Sequence, residues 1–346
     1  MMLARLAVLL LALSLPMGTA NARAPRKPRP AADASAHPAP ISLIPRPVRF
    51  PGGVTMQTQT YATRTGFRPL TLDLYMPAER TPLRPALVFV HGGSWNSGDA
   101  RHAGTFEDFP GLLATLARRG FVVASVNYRL SGEARFPAAL QDVKSAIRWL
   151  RAHAQDYAID TTRVAVWGEA AGGQLAAMAG LTCGVARFAP PPDAGAATPP
   201  PSDCVQAVID WYGVTDFDTI YADRGKPPPD TPDAIGAYLG CTPPACPPGT
   251  AREASPLTYV SPTAPPFLIQ QGAADGIVPP KQSQKLYDAL RAIGVPAELV
   301  VYPGVAHSFA RPTAAPDPDI NKQAIEKIEA FLDATFPRTR PHKETP

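Results

Sequence analysis

Residues 164–179 constrain the fold most, because they combine an apolar run, a glycine-flanked turn and a stretch of small residues. The run 164–167 reads Val-Ala-Val-Trp, and residues 168–172 read Gly-Glu-Ala-Ala-Gly. Glycine tolerates sharp reversals and lets two backbone segments approach closely. The pattern therefore predicts a buried strand, a tight turn with Ala170 at its tip, and a helix.

Apolar runs of this kind recur along the chain and alternate with stretches of helical period. A short, uninterrupted apolar run is typical of a strand that is buried on both faces of a parallel sheet. Alternating strands and helices predict an α/β fold with a doubly wound, mostly parallel sheet. The predicted strands are 55–61, 70–75, 86–90, 121–126, 164–167, 205–209, 267–270 and 298–302, and the clearest helices are 138–153, 282–293 and 321–332.

Three segments interrupt this alternation. Residues 189–202 are rich in proline and alanine and predict a surface loop, whereas the triple proline within 221–232 predicts irregular backbone. Residues 240–256 contain two cysteines and are expected to cap the carboxyl edge of the sheet. Ligands of open α/β sheets bind at that edge, so these insertions either shape a cleft or are ordinary surface excursions.

The first residues have the features of an export signal. Arg5 precedes the apolar run 6–15, and Ala-Asn-Ala at 20–22 offers a small-x-small cleavage site. That run is too short to span a membrane, so we expect a secreted or periplasmic protein without a membrane span. The predicted organisation is a signal peptide at 1–22, a Pro/Ala/Arg-rich linker at 23–50, one domain at 51–337 and a disordered tail at 338–346.

The chain has four cysteines, which agrees with an oxidising compartment. Cys241 and Cys246 flank a short loop, and Cys183 and Cys204 bracket the proline-rich insertion. Four cysteines allow three pairings, of which we favour Cys183–Cys204 and Cys241–Cys246. No CxxC spacing or neighbouring histidine pair accompanies them, so we expect no metal site.

The net charge of +4 does not indicate a nucleic-acid partner. Much of the basic excess lies near the two ends of the chain, and no basic stripe with interleaved aromatic residues crosses the predicted domain. The sequence makes no prediction about oligomeric state.

Residues 91–95, His-Gly-Gly-Ser-Trp, immediately follow a predicted buried strand. Acyl transfer places negative charge on a carbonyl oxygen, and backbone N–H groups beside glycines can stabilise that charge. Gly92 and Gly93 are therefore candidate oxyanion donors, and Ala171, just past the turn, is a third. Trp95 is a candidate for lining the substrate pocket, although a packing role is equally compatible with its position.

Two further polar residues follow later strands. Asp275 lies in Gly-Ala-Ala-Asp-Gly-Ile-Val-Pro after strand 267–270, and His307 lies in Pro-Gly-Val-Ala-His-Ser-Phe after strand 298–302. The carboxyl ends of parallel strands share one edge of a sheet, so these residues are expected to lie near Ala170.

With these motifs the chain resembles secreted α/β-hydrolase esterases, related to feruloyl esterases and to the hormone-sensitive-lipase group. The resemblance covers about residues 70–336 and includes the order of turn, aspartate and histidine. It implies an α/β-hydrolase fold with short cap insertions, no metal or organic cofactor, and hydrolysis of carboxylic esters. Arg129 and Asp142, which it also includes, are interpreted as structural. Gln271 stands where many relatives have a histidine.

The resemblance also assigns roles to the site. Ala170 stands where these enzymes carry the nucleophilic serine of a G-x-S-x-G turn, Asp275 would orient the base, and His307 would be the base. The predicted function is an exported carboxylic-ester hydrolase of acetyl- or feruloyl-esterase type, inactive with Ala170, acting on a small-molecule or polysaccharide-linked ester. The alternatives are a non-catalytic ligand-binding pseudoenzyme and a peptidase-like serine hydrolase.

Overall fold

The computed structural model describes residues 46–192, 199–225, 232–310 and 318–337. The predicted signal peptide, most of the predicted linker and the predicted tail lie outside these ranges. Within them, no helix is both long enough and apolar enough to cross a membrane.

The described residues contain nine strands, which join in one sheet. All eight predicted strands are present, so that prediction is confirmed. The ninth, Val48–Arg49, pairs antiparallel with the strand that follows it, so the sheet begins inside the segment predicted as linker. The strands are β1 Val48–Arg49, β2 Thr55–Ala62, β3 Leu70–Met76, β4 Arg84–Val90, β5 Val122–Val126, β6 Ile159–Glu169, β7 Ala207–Trp211, β8 Phe267–Gly272 and β9 Ala297–Tyr302.

Helices connect most of the strands in the described ranges. They are α1 Phe109–Arg118, α2 Ala138–Ala152, α3 Ala154–Tyr157, α4 Ala171–Leu181, α5 Ile220–Arg224, α6 Ala234–Leu239, α7 Thr250–Ala254, α8 Pro280–Ala292 and α9 Pro318–Thr335. The predicted helices correspond to α2, α4, α8 and α9.

The sheet order is β1-β2-β3-β5-β4-β6-β7-β8-β9. The first four strands in that order pair antiparallel, and β5, β4, β6, β7, β8 and β9 run parallel. The predicted doubly wound, mostly parallel sheet is therefore confirmed. Its parallel strands bring the loops after β4, β6, β7, β8 and β9 to one edge.

An apolar core covers each face of the sheet. Successive side chains of a strand point to opposite faces, so Ala86, Val88 and Val90 of β4 join one core while Leu87 and Phe89 join the other. Helices α2, α4 and α8 pack on the first face, and α1 and α9 pack on the second.

Two local predictions need correction. The sequence analysis did not predict α1. This helix begins after Asp108, and the Asp108 side chain accepts a hydrogen bond from the Gly111 N–H at 2.9 Å. An aspartate before Phe-Pro is a helix-start signal.

Residues 221–232 were predicted to be irregular, but the segment opens inside α5. That short helix buries Ile220 and Tyr221 against the core, which outweighs the proline-rich composition that follows. Residues 193–198 and 226–231 of the two insertions lie outside the described ranges.

Candidate active site

The turn at Ala170 has the strained geometry that the glycines predict. Ala170 has φ 48° and ψ −113°, a region that L-residues rarely occupy. A Cβ on Gly168 would lie 2.0 Å from the Gly172 carbonyl oxygen, and one on Gly172 would lie 2.0 Å from the Val90 oxygen. Glycine is therefore required by close backbone approach, and the turn presents the Ala170 methyl at the junction of β6 and α4.

Asp275 and His307 meet at the carboxyl edge of the sheet. The His307 Nδ1 lies 2.8 Å from the Asp275 Oδ2. The Asp275 side chain is fully buried, whereas 21% of the His307 side chain is exposed. A carboxylate that accepts from Nδ1 fixes the proton there, so the other ring nitrogen faces outward as an acceptor.

The Asp275 carboxylate is held from its other side as well. Its Oδ1 accepts hydrogen bonds from the N–H groups of Ile277 at 2.8 Å and Val278 at 2.9 Å. The Gln271 Nε2 donates to Oδ2 at 3.1 Å, and the Gln271 Oε1 accepts from the Ser283 hydroxyl at 2.7 Å. Gln271 thus orients the acid, a role that the sequence reading missed.

The His307 ring rests against an aromatic residue from a different loop. The centroids of the His307 and Tyr212 rings are 4.9 Å apart in an edge-to-face arrangement. The Tyr212 hydroxyl donates to the Glu169 Oε2 at 3.0 Å. Since Glu169 directly precedes Ala170, this chain of contacts links the imidazole to the turn at Ala170, which is called the elbow below.

Glu169 also fixes the glycine-rich loop after β4. Its Oε1 accepts from the N–H groups of Gly92 at 3.3 Å and Gly104 at 3.1 Å. Burial raises the pKa of Glu169, and the hydrogen bonds from Gly104, Tyr212 and Gly92 oppose that rise. The carboxylate serves as a buried anchor for the loop.

This anchoring changes the set of candidate oxyanion donors. Because the Gly92 N–H points to Glu169, it is not available to a ligand, which corrects the prediction for that residue. The N–H groups of Gly93 and Ala171 donate to no other residue within the described ranges. Ala171 opens α4, where the first N–H groups of a helix lack intrahelical partners and favour negative charge.

His91 itself is structural. Its ring stacks on Tyr128 with centroids 4.3 Å apart, and its Nδ1 lies 2.8 Å from the Gly92 oxygen. Burial lowers the pKa of His91 to about 4, so the ring is neutral at physiological pH. The Arg129–Asp142 pair is also structural, as the sequence predicts, with Nη2 and Oδ1 2.7 Å apart in the interior.

A cleft of about 50 Å³ joins Ala170, Ala171 and His307. Apolar residues Val214, Ala234, Ile235, Ile277 and Val278 contribute most of its remaining wall. A larger cleft of about 360 Å³ lies near the starts of β2 and β4 and contains none of the predicted site residues. The smaller cleft is therefore the candidate active site.

Trp95 lines this cleft but is held rigidly. It is only 3% exposed, its Nε1 donates to the Gln174 Oε1 at 3.0 Å, and its ring stacks on Tyr238 with centroids 4.5 Å apart. The residue therefore forms a fixed wall of the cleft and packs the core at the same time.

Comparison with known proteins identifies the fold family. The BD-FAE family profile matches residues 72–290, which is more than half of the chain. The chain belongs to the BD-FAE family. Its fold is that of the α/β-hydrolase esterases of hormone-sensitive-lipase type, which confirms the resemblance seen in the sequence.

Individual relatives agree with the BD-FAE assignment. Esterase LipC of Mycobacterium tuberculosis is 34% identical over 65% of this chain and 53% of its own length. The chain spans about half the length of the curated relatives it matches. A truncated carbohydrate esterase from gut microbiota superposes with a TM-score of 0.67 and 28% identity, covering 81% of this chain and 96% of that structure. The esterase Est2 of Thermogutta terrifontis gives a TM-score of 0.65 at 26% identity, covering 85% and 96%.

One buried carboxyl group, on the strand next to β6, is not fully hydrogen-bonded within the described residues. Asp210 in β7 is fully buried, and its Oδ1 accepts from the Gly213 N–H at 2.9 Å. Its Oδ2 has no hydrogen-bond partner among the described residues. Burial raises the pKa of Asp210 from 3.8 to about 7, so the neutral form is favoured in the folded protein.

We therefore expect Asp210→Asn to remove a pH-dependent loss of stability. Between pH 4 and 7 the folded carboxyl holds a proton that the unfolded one has lost, so the free energy of unfolding falls as pH rises and levels off above 7. On going from pH 4 to pH 8, the free energy of unfolding of the asparagine variant should rise by up to about 4 kcal/mol relative to that of the parent. Urea unfolding of both proteins at the two pH values measures this. If the free energies of unfolding of the two proteins differ by the same amount at both pH values, Asp210 does not titrate in this range.

Proposed function

We propose that the chain is an exported carboxylic-ester hydrolase of acetyl- or feruloyl-esterase type, in which Ala170 occupies the position of the nucleophilic serine. The observation that carries this proposal is one cleft that contains the strained tip of the elbow and a histidine hydrogen-bonded to a buried aspartate. The similarity to esterases supports carboxylic esters as the substrate class.

The geometry supports a serine-hydrolase mechanism in which only the nucleophilic oxygen is missing. With a serine at this position, the hydroxyl oxygen would attack the ester carbonyl carbon while His307 takes the hydroxyl proton. Asp275 would stabilise the imidazolium, and the amides of Gly93 and Ala171 would donate to the oxyanion. The histidine would then give its proton to the leaving alcohol, and water would release the acid by the same steps. Ala170 has no oxygen, so no acyl-enzyme can form.

Ala170 itself favours a second candidate function, a non-catalytic protein that binds esters. Residues 167–178 contain no serine, threonine or cysteine that could replace the nucleophile. The cleft and the Asp275–His307 pair remain, and the Gly93 N–H donates to no other described residue. On this alternative the parent chain binds an ester and releases it unchanged.

A substrate panel separates the two candidates and defines the acyl group. Parent and Ala170→Ser proteins are assayed with p-nitrophenyl acetate, methyl ferulate and an acetylated xylo-oligosaccharide. Hydrolysis by the variant alone supports the hydrolase scaffold, and the fastest substrate identifies its acyl preference. Tight binding by the parent with no hydrolysis by either protein would favour the binding protein.

The export part of the proposal has structural support in two disulfides. Cys183–Cys204 and Cys241–Cys246 are both formed, as predicted, and the described residues contain no free cysteine. Such bonds persist in oxidising compartments. The organisation of signal peptide 1–22, linker 23–50, domain 51–337 and tail 338–346 stays part of the proposal, with β1 of the sheet lying inside the last residues of that linker. Protein isolated from the exported fraction should show no free thiol with Ellman's reagent after unfolding.

The longer disulfide holds a buried cation in place. The Lys144 ammonium is fully buried, and its Nζ donates to the Thr182 oxygen at 2.6 Å and to the Asp203 Oδ1 at 3.2 Å. Thr182 and Asp203 directly precede Cys183 and Cys204 in the sequence. The Cys183–Cys204 disulfide therefore fixes both partners of the Lys144 charge, which would be costly to leave unpaired.

Loss of this disulfide is expected to destabilise the fold more than loss of the shorter one. Replacing Cys183 and Cys204 by serine should lower the free energy of unfolding by about 3 kcal/mol from chain entropy alone, against about 2 kcal/mol for Cys241 and Cys246. Release of the Lys144 partners adds to the first loss. Urea unfolding of the two double variants tests the order, and a larger loss from the Cys241–Cys246 pair would contradict it.

A further inference from the structure

Among the described residues that line the cleft, only Arg224 carries a permanent charge. It is the last residue of α5, and it shares the cleft wall with Ala170, His307 and Ile277. The mechanism above makes no use of it. A half-buried cation beside a catalytic histidine therefore needs a separate explanation.

The guanidinium is held in place by neutral groups. Its Nη1 donates to the Ile277 oxygen at 3.0 Å, and its Cζ lies 5.3 Å from the Tyr221 ring centroid. A guanidinium has five N–H donors in a planar fork; the Ile277 carbonyl takes one of them, and the guanidinium also donates a hydrogen bond to the Tyr221 hydroxyl. No carboxylate lies within ion-pair distance of Arg224 in the described part of the chain.

The nearby acids already accept hydrogen bonds from other groups, and Asp223 also forms ion pairs. The Asp223 carboxylate binds Lys281 at 2.8 Å and Lys285 at 2.9 Å, and Lys285 also lies 3.1 Å from Asp216. Asp233, whose pKa Arg224 helps to lower, accepts hydrogen bonds from Tyr221, Gly236 and Thr242. Among the described residues, Arg224 therefore makes no direct ion pair, and the Asp233 carboxylate acts on it only beyond ion-pair distance.

We propose that Arg224 binds a carboxylate on the substrate, so that the site selects esters that carry a free carboxylate group. A planar guanidinium pairs with a carboxylate through two parallel hydrogen bonds. The apolar walls at Val214, Ile235 and Val278 offer no competing polar partner. This inference rests on the proposed function for the position of the ester, and it adds the chemical class of the substrate.

The size of the cleft indicates how such an ester lies. The volume of the cleft is only about 50 Å³. A small group next to Ala170 fills it, and the part of the ester that bears the carboxylate extends towards Arg224. The carboxylate belongs either to the alcohol part or to the acyl part of the ester, and the experiment distinguishes these two sources.

The parent chain allows a direct binding test, because it leaves the ester intact. Calorimetric titration compares 4-acetoxybenzoate with its methyl ester for the alcohol side, and phenyl hemisuccinate with its methyl ester for the acyl side. Charge-assisted hydrogen bonds should make the parent bind at least one carboxylate form about 10- to 100-fold more tightly than its methyl ester. The pair that shows the preference identifies the source of the carboxylate.

Variants assign that preference to Arg224. Arg224→Gln should bring the two affinities within about twofold of each other, and Arg224→Lys should retain only part of the preference, because an ammonium lacks the fork. Arg252→Gln, which removes an exposed charge from α7, is the matched control and should keep the full preference. Equal affinity of the parent for both members of each pair, or an undiminished preference in Arg224→Gln, overturns the inference.

The ratio of kcat/KM for each pair in the Ala170→Ser background separates this inference from the proposed function. Hydrolysis with no Arg224-dependent ratio overturns the carboxylate inference and leaves the esterase proposal standing. Arg224-dependent binding by the parent without any hydrolysis by Ala170→Ser overturns the esterase proposal and retains the carboxylate site.

Discussion

Ala170→Ser is expected to raise ester hydrolysis at least about a thousandfold above the parent chain. Removal of the serine nucleophile from a well-studied protease triad costs about six orders of magnitude in turnover, with a residual rate from the oxyanion hole and binding. Here the elbow already has the strained backbone at Ala170, and His307 lines the same cleft. The single added oxygen therefore enters a site whose other parts are formed. Initial rates with p-nitrophenyl acetate measure the gain.

A matched control separates the effect of the position of the new hydroxyl from the effect of adding a hydroxyl to the cleft. Ala234 also lines the cleft, at the start of α6 and away from the elbow. Ala234→Ser adds the same hydroxyl to the same cleft and should leave the rate at the level of the parent. Equal rates for all three proteins would count against Ala170 as the nucleophile position.

Asp275→Asn in the Ala170→Ser background is expected to lower kcat about 10⁴-fold, because it reverses the histidine tautomer. Two backbone N–H groups, from Ile277 and Val278, hold Oδ1 as an acceptor. The asparagine amide nitrogen must then take the Oδ2 side and donate to the His307 Nδ1. The proton moves to the outward nitrogen, which can no longer accept a proton from the nucleophile.

His307→Ala in the same background should remove most of the gain directly. His102 and His153 provide controls, because His102 pairs with Asp99 on the surface and His153 lies at the end of α2 against the Trp149 oxygen. Their alanine variants should retain the full rate. Loss of activity in either control together with full activity in His307→Ala would show that the base is misassigned.

The position of the site was predictable because of how parallel sheets are built. Ala170, Asp275 and His307 each follow an apolar strand, and β6, β8 and β9 run parallel and end at one edge. Each motif is therefore brought to the same place by the strand before it. The glycines at 168 and 172 were predictable for the same local reason, because backbone packing at the turn leaves no room for a Cβ.

The use of individual amides and side chains was not predictable. The direction of the Gly92 N–H depends on the Glu169 carboxylate, which is fixed in turn by Gly104 and Tyr212. No local pattern connects these four residues. Gln271 reads as a departure from the family, although it supports Asp275 through tertiary contacts.

Arg224 illustrates a different limit. It precedes a proline-rich segment that has no hydrophobic period, so nothing in the sequence predicts that it lies at the candidate active site. Burial of Ile220 and Tyr221 forms the short helix α5, and that helix brings the guanidinium to the cleft. Contacts between distant segments decide such placements.

Covalent labelling tests the central claim most directly. Parent and Ala170→Ser proteins are treated with a p-nitrophenyl phosphonate, and the adduct is located by peptide mass spectrometry. The account predicts one phosphonyl group per chain at position 170 of the variant and none on the parent. An unlabelled variant, or a label on Ser94 in both proteins, would contradict the assignment of Ala170 to the nucleophile position.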